Sequence, residues 1–245
     1  MDRQTAFITG AAQGLGADIA RALVASGRNV VLCDVSPSVT ETAQQIDPSG
    51  ARAAAIQFDV QDEQAFQQAF DSAVAKFGSV EVMVNNAART AMRSIWDISA
   101  EEWDSVLAVN LRGTFFGCRI AGRHMRQRGY GRIINMSSIA GQQASPATGA
   151  HYAASKAGIL ILTKAFATEL APHAITVNAI TPSAISSPAV ASAPPEKIAA
   201  VVKTIPAGRL GQPGEVSSAV VYLASEAAGY ITGATLDVNG GRLMR

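Results

Sequence analysis

The chain has 245 residues, 48% of them hydrophobic, with 20 basic and 19 acidic residues and a net charge of +1. That length and apolar content suit one large domain or two small ones. The balanced charge, with no basic tract, argues against nucleic acid or an anionic membrane surface as partner.

Two cysteines, Cys33 and Cys118, and three scattered histidines, His124, His151 and His173, offer neither a disulfide framework nor metal-ligand spacing. The longest apolar runs, such as AGILIL at 157–162, are too short to span a bilayer. MDRQTAFITG at the start carries an early acid and no signal-type apolar region. The expectation is a soluble, reduced, cytoplasmic protein.

In chain order, TAFITG (5–10) reads as a buried strand and GLGADIARALVASG (14–27) as a helix ending at a glycine. NVVLCD (29–34) is a second strand, 38–46 a helix with Ser and Pro at its start, and RAAAIQFDV (52–60) a third strand. An amphipathic helix over 62–78 closes at Gly78, and VEVMVNNA (80–87) is the fourth strand. A long helical region over 99–127 follows, with Ser99 and Glu102 spaced as a capping box. GRIINMSS (131–138) is the fifth strand, 151–171 a helix and AITVNAIT (174–181) the sixth strand. A helix over 213–226 with Pro at its start precedes the last strand, ATLDVNGG (234–241). Strand–helix alternation with uniformly apolar strands predicts an α/β protein whose parallel sheet is covered on both faces. PSAISSPAVASAPPEK (182–197) reads as a mobile loop over a site.

TGAAQGLG (9–16) follows the first strand and opens the first helix, with glycines at 10, 14 and 16. Such a loop lets backbone N–H groups and a helix N-terminus meet a diphosphate without obstruction by Cβ atoms. Alone, a glycine triple is weak, because glycines also end strands for packing reasons. Here a strand precedes, a helix follows, and Asp34 at the end of the second strand is placed to accept from an adenosine ribose diol. A 2′-phosphate would bring like charge against Asp34. Neither Gln13 nor Val35 neutralises it, so the cofactor expected is NAD(H).

HYAASKAG (151–158) places Tyr152 and Lys156 one turn apart on the same helix face. Coincidence is the bland explanation. The chemical one is that a nearby ammonium lowers the pKa of the phenol, about 10 when unperturbed, toward that of a useful base.

With these motifs in this order, the chain resembles the short-chain dehydrogenases/reductases of the single-domain type over residues 5–241. The matching segments are TGAAQGLG, DV at 59–60, NNAA at 85–88, Asn110 in VNLRG, INMSS at 134–138, YAASK at 152–156, NAITPS at 178–183 and the tail from PAGRLGQPGEV to DVNGG. The resemblance implies a Rossmann-type doubly wound parallel sheet of about seven strands, in one domain spanning 1–245. It implies catalytic roles for Asn110, Ser138, Tyr152 and Lys156. Tyr152 exchanges the substrate proton, Lys156 also holds the nicotinamide ribose, Ser138 stabilises the substrate oxygen, and Asn110 holds a water in a proton relay. Beside Gly10, Gly14, Gly16 and Asp34, it assigns cofactor contacts to Gln13, Leu15, Asp59, Val60, Asn86, Ala88, Pro182, Ile185 and Ser187, with Tyr152 and Lys156. It also implies a homotetramer, built through the helices at 99–127 and 151–171 and the C-terminal strand region, with a substrate loop at about 183–205.

Each assignment has a plainer counterpart. Ser138 could cap the fifth strand, Asn110 could be a polar residue in mid-helix, Asp59 could cap the helix beginning near 62, and Cys33 reads as a small core residue. Met92, Arg93 and Trp96 could face substrate or only the surface. Three departures from the family pattern stand out. Ala88 replaces the usual glycine, so its methyl either crowds the cofactor slightly or fits with φ below zero. Ser183 replaces the glycine after the sixth strand, and the segment from Ser138 to Tyr152 is about one residue longer. The reading is an NAD(H)-dependent oxidoreductase of a small-molecule secondary alcohol or its ketone. The alternatives are an NADPH-dependent 3-oxoacyl-thioester reductase and a non-catalytic dinucleotide-binding regulator.

Overall fold

Short β-rich runs without polar alternation become strands buried on both faces. In the computed structural model, which describes residues 3–144, 148–187, 190 and 193–244, seven of them form one sheet: β1 (Thr5–Thr9), β2 (Asn29–Asp34), β3 (Ala53–Gln57), β4 (Val82–Asn85), β5 (Gly131–Met136), β6 (Ile175–Pro182) and β7 (Thr235–Val238). Their order is β3-β2-β1-β4-β5-β6-β7, and every pairing is parallel. The chain winds outward from β1 to β3, then returns to begin again at β4 on the other side of β1. That reversal opens a crevice beyond the carboxyl ends of β1 and β4, where open parallel sheets bind ligands.

Helices cover both faces. The chain forms α1 (Gly14–Ala25), α2 (Val39–Ile46), α3 (Glu63–Phe77), α4 (Ala100–Leu107), α5 (Gly113–Arg128), α6 (Ala150–Leu170), α7 (Pro195–Val202) and α8 (Pro213–Leu223). One core joins α1, α2 and α8 to the sheet through Ile19, Leu23, Val39 and Val220. The other joins α3, α5 and α6 through Phe66, Phe70, Met125 and Leu170. In the second, Phe7 of β1 stacks on Phe66 with ring centroids 5.9 Å apart. No helix among the described residues is long and apolar enough to cross a membrane.

Four local expectations change. The third strand ends at Gln57, and Asp59 bends the chain away by accepting the Gln61 amide. The helix that follows is capped by Asp62, which accepts the Ala65 amide, rather than by Asp59. The helical stretch expected over 99–127 is α4 and α5 joined by a π-helical turn, Ala108–Arg112. The region expected to be loop at 182–197 runs into α7, which Pro195 opens; prolines are tolerated in a first helical turn, where the amide has no partner. Residues 188–189 and 191–192 of that region lie outside the described residues, as do 145–147 of the lengthened segment.

Candidate active site

The loop after β1 is shaped for a close backbone approach. Gly10 has φ +67°, and a Cβ there would lie 2.7 Å from the Cα of Ala87. A Cβ on Gly16 would lie 2.1 Å from the Gly10 carbonyl oxygen. Gln13 is the N-cap of α1 in extended conformation and makes no side-chain cap, so the first amides of α1 remain free to meet an anion. Leu15, half-buried, packs its side chain into the core beneath the loop.

Asp34 holds this loop from the end of β2. One carboxylate oxygen accepts the Ala12 amide and the other the Ser36 amide, each at 3.0 Å. A carboxylate has about four acceptor positions, so two remain for ribose hydroxyls. A cavity of about 340 Å³ opens here, lined by Gly10, Gln13, Asp34, Val35, Phe58, Asp59, Val60, Gln61, Asn86, Ala87, Ala88 and Val109. Among the described residues no lysine or arginine lines it. Asn86 ties its floor to β1 by donating to the carbonyls of Thr9 and Gly10 at 3.0 and 2.9 Å. Among the described residues only Ala174 is a non-glycine with positive φ, so the backbone of Ala88 takes a methyl group without strain, and so does that of Ser183 for its side chain. A cradle that Cβ atoms would fill, an acceptor at its far end and no cation to hold a second phosphate together fit a nicotinamide dinucleotide.

The second half of the crevice gathers the expected catalytic residues. Ser138 follows β5, and its hydroxyl accepts the Ala140 amide at 3.2 Å and lies near enough to the Tyr152 phenol to favour its ionised form. It is therefore both a local cap and a partner of the phenol. Its neighbour Ser137 turns inward and donates to the Lys156 carbonyl at 2.7 Å, which marks the second serine as the one facing the site. Lys156, buried, donates from Nζ to the Met136 carbonyl at 2.7 Å. That ammonium stands 5.6 Å from the centroid of the Tyr152 ring. Thr90, two residues beyond the NNAA segment, lies near enough to the same phenol to favour its ionised form. Sequence inspection missed it, because a lone threonine after a strand carries no signal.

Electrostatics here depart from expectation. Burial pushes the Tyr152 phenol above its ordinary value, against the opposing pull of Ser138 and Thr90. Burial also pushes Lys156 down to about 8. For both groups the cost of leaving water is the largest effect in the protein alone.

Asn110 sits in the π turn, a rare feature that often marks functional sites. It is fully buried. Its amide donates to Ser155 and to the Arg89 carbonyl at 3.0 and 3.2 Å, and its oxygen accepts the Arg89 amide at 2.7 Å. The side chain thus braces the segment after β4 against α6. On the opposite side, Pro182 ends β6 paired with Val238, Ile185 forms an isolated bridge to Gly211, and Ser187 accepts the Val190 amide at 3.2 Å. Gly14 needs its φ of +56° but meets no neighbour there. Burial raises both free thiols, Cys33 well above the ordinary value and Cys118 to about 12. They are core residues, not nucleophiles.

A glycine cradle at the switch point and a serine, tyrosine and lysine grouped beside it define a nicotinamide-dependent oxidoreductase. A family model described as enoyl-(acyl carrier protein) reductase matches residues 10–242. The chain belongs to this family, within the short-chain dehydrogenases/reductases, and is an oxidoreductase of alcohols and ketones. It is 43% identical to 3beta-hydroxysteroid dehydrogenase 1 of Eggerthella lenta, over 97% of this chain and 93% of that protein. It is 37% identical to a 3-oxoacyl-(acyl-carrier-protein) reductase of Staphylococcus aureus, over 98% of both. A solved 3-oxoacyl-(acyl-carrier protein) reductase from Brucella melitensis superposes with TM-score 0.94 at 38% identity, covering 100% of this chain and 92% of that one.

Proposed function

We propose that the protein is an NAD(H)-dependent dehydrogenase of a secondary alcohol, or reductase of the matching ketone, with Tyr152 as general acid/base. The observation that carries the reading is the grouping of Tyr152, Ser138 and Lys156 beside a dinucleotide cradle whose ribose end holds Asp34 and no cation. Gly10, Gln13, Gly14, Leu15 and Gly16 would hold the diphosphate, Asp34 the adenosine ribose, and Asp59 and Val60 the adenine. Asn86, Ala88, Pro182, Ile185 and Ser187 would surround the nicotinamide half. When bound, the cofactor supplies the hydride acceptor or donor and, when oxidised, a positive ring.

In oxidation, Ser138 donates a hydrogen bond to the substrate oxygen while Tyr152 takes the hydroxyl proton. A positive charge beside the buried phenol favours the phenolate, which offsets the burial that otherwise keeps the proton on. Lys156 would bind the nicotinamide ribose and pass the proton onward, with Asn110 at the inner end of a water relay. In reduction the roles reverse, and Tyr152 is the acid. The loop at 183–205, including α7, shapes the substrate pocket.

A second reading, an NADPH-dependent 3-oxoacyl-thioester reductase, draws on the names of two relatives. Asp34 weighs against it, because its carboxylate would face the 2′-phosphate with no offsetting base. A panel of alicyclic, polyol and hydroxy-acid alcohols and the matching ketones, with both cofactors and absorbance at the nicotinamide band, tests the choice. Turnover with NAD⁺ or NADH on a secondary alcohol or ketone supports the first reading; turnover confined to NADPH and 3-oxoacyl thioesters supports the second. We also propose a homotetramer, since α6 carries apolar side chains outside its core stripe, with Ile161 65% exposed.

A further inference from the structure

Helix α6, which carries Tyr152 and Lys156, begins without a side-chain cap, because Gly149 stands at its N-cap. Its first amides need other partners. The Tyr152 amide finds one in the preceding residue, donating to Nδ1 of His151 at 2.9 Å. With Nδ1 accepting, the imidazole proton lies on Nε2, which faces Oε1 of Glu102 at 3.2 Å. His151 is fully buried and the Glu102 side chain only 16% exposed. The other Glu102 oxygen forms an ion pair with Nε of Arg93 at 2.6 Å. The His151 hydrogen bond, with the Arg93 charge behind it, holds the Glu102 carboxyl below its ordinary value.

Arg93 belongs to the segment that also carries Thr90. Between β4 and α4 this segment has one short 3₁₀ turn, Ile95–Asp97, and its side chains at Met92 and Trp96 are exposed. Little apolar packing holds it. Its contacts to the catalytic helix are polar: the Gly149 amide donates to the Ala91 carbonyl at 3.2 Å, and the line from Arg93 through Glu102 to His151 runs alongside. A Cβ on Gly149 would lie 2.2 Å from the His151 ring and 2.8 Å from the Ala91 carbonyl, so the close approach depends on that glycine.

We propose that Arg93, Glu102 and His151 form a strut that holds Thr90 against the hydroxyl of Tyr152. Glu102 and His151 are then positioning residues for proton transfer, and Thr90 is a third hydroxyl at the reaction centre beside Ser138. The inference rests on Tyr152 being the acid/base. Lys156 faces the phenol from α6, Ser138 from the turn after β5 and Thr90 from the segment after β4. Arg93 and His151 face Glu102, and Arg89 and Glu101 line the same surface recess.

The test compares wild type with Thr90→Val, Arg93→Ala, Glu102→Ala and the Thr90→Val/Glu102→Ala double variant. The assay is oxidation of the best alcohol of the panel, with NADH affinity followed by nicotinamide fluorescence. Arg93→Ala removes an exposed side chain and leaves the buried pair in place, so it reports on the strut even if Glu102→Ala does not fold. The strut predicts that kcat falls at least tenfold in Glu102→Ala and in Thr90→Val, less in Arg93→Ala, with NADH affinity within twofold of wild type. Loss of a donor to the phenolate moves the ionisation gating oxidation to higher pH in all three. The double variant shifts no further than Thr90→Val alone. A wild-type pH profile in Arg93→Ala and Glu102→Ala, or shifts that add in the double variant, would overturn the strut. If Tyr152→Phe is inactive in the same assay while the strut variants keep the wild-type profile, only the strut fails. If Tyr152→Phe turns over normally, the reading beneath it fails.

Discussion

The carboxylate of Asp34 accepts the amides of Ala12 and Ser36 and so fixes the loop it serves before any ligand arrives. Its remaining acceptor positions suit hydroxyl donors and repel a phosphate, while Val35 stands exposed beside it. We expect NAD(H) to be preferred by at least tenfold in kcat/KM, about 1.4 kcal/mol, and Asp34→Ala with Val35→Arg to move that preference toward NADPH. Steady-state kinetics with both cofactors decide it; equal or better use of NADPH by the wild type contradicts the assignment. Lys156 gives a second prediction at this scale. Its pKa is about 8 in the fold against an ordinary 10.5. The folded protein thus binds fewer protons than the unfolded chain between those values, and this group's contribution to stability rises with pH through that window. Below pH 8 the lysine is charged in both states and its burial costs most. Lys156→Met should raise Tm near pH 7, with the gain shrinking as pH climbs from 8 toward 10. A gain constant across that range in melting curves contradicts the assigned burial cost.

Elements that meet the site do so through backbone contact. Since a Cβ on Gly16 would lie 2.1 Å from the Gly10 carbonyl, Gly16→Ala should weaken NADH binding at least tenfold. Gly214→Ala, at the start of α8 with nothing within 4 Å of the added carbon, should leave it unchanged. Fluorescence titration of the two variants checks the pair, and equal affinities would mean that the loop yields. The strands were legible in the sequence because parallel strands buried on both faces read as unbroken apolar runs. The glycine loop and the Tyr152–Lys156 spacing were legible because their chemistry is local. What escaped is set by distant partners. The π turn at Ala108–Arg112 coincides with Asn110's bonds to Arg89 and Ser155, which no window around Asn110 contains. Ser99 caps α4 by accepting the Glu102 amide, but the Glu102 carboxylate goes to His151 and Arg93 instead of completing the capping box. Helix α7 hid behind prolines that usually end helices. The upward shift of Tyr152 depends on burial, which the Tyr–Lys spacing does not reveal.

At the scale of the whole molecule, the sheet reversal at β1 and β4 places both halves of the crevice at one edge, within reach of one extended ligand. Helices α6 and α4 leave apolar side chains outward, Ile161 and Trp103 among them. Light scattering at micromolar concentration should give the mass of a tetramer, four times 25.4 kDa, and a monomeric mass contradicts the proposed assembly. The claim on which the rest depends is that Tyr152 moves the proton, and replacing it with phenylalanine tests that most directly. Tyr152→Phe keeps the ring and its packing, so the fold and NADH affinity should hold within twofold. Alcohol oxidation should fall by the roughly 10²–10⁴ lost with a general base. Near-native turnover in a fully folded Tyr152→Phe protein would make the phenol a structural residue and contradict the mechanism.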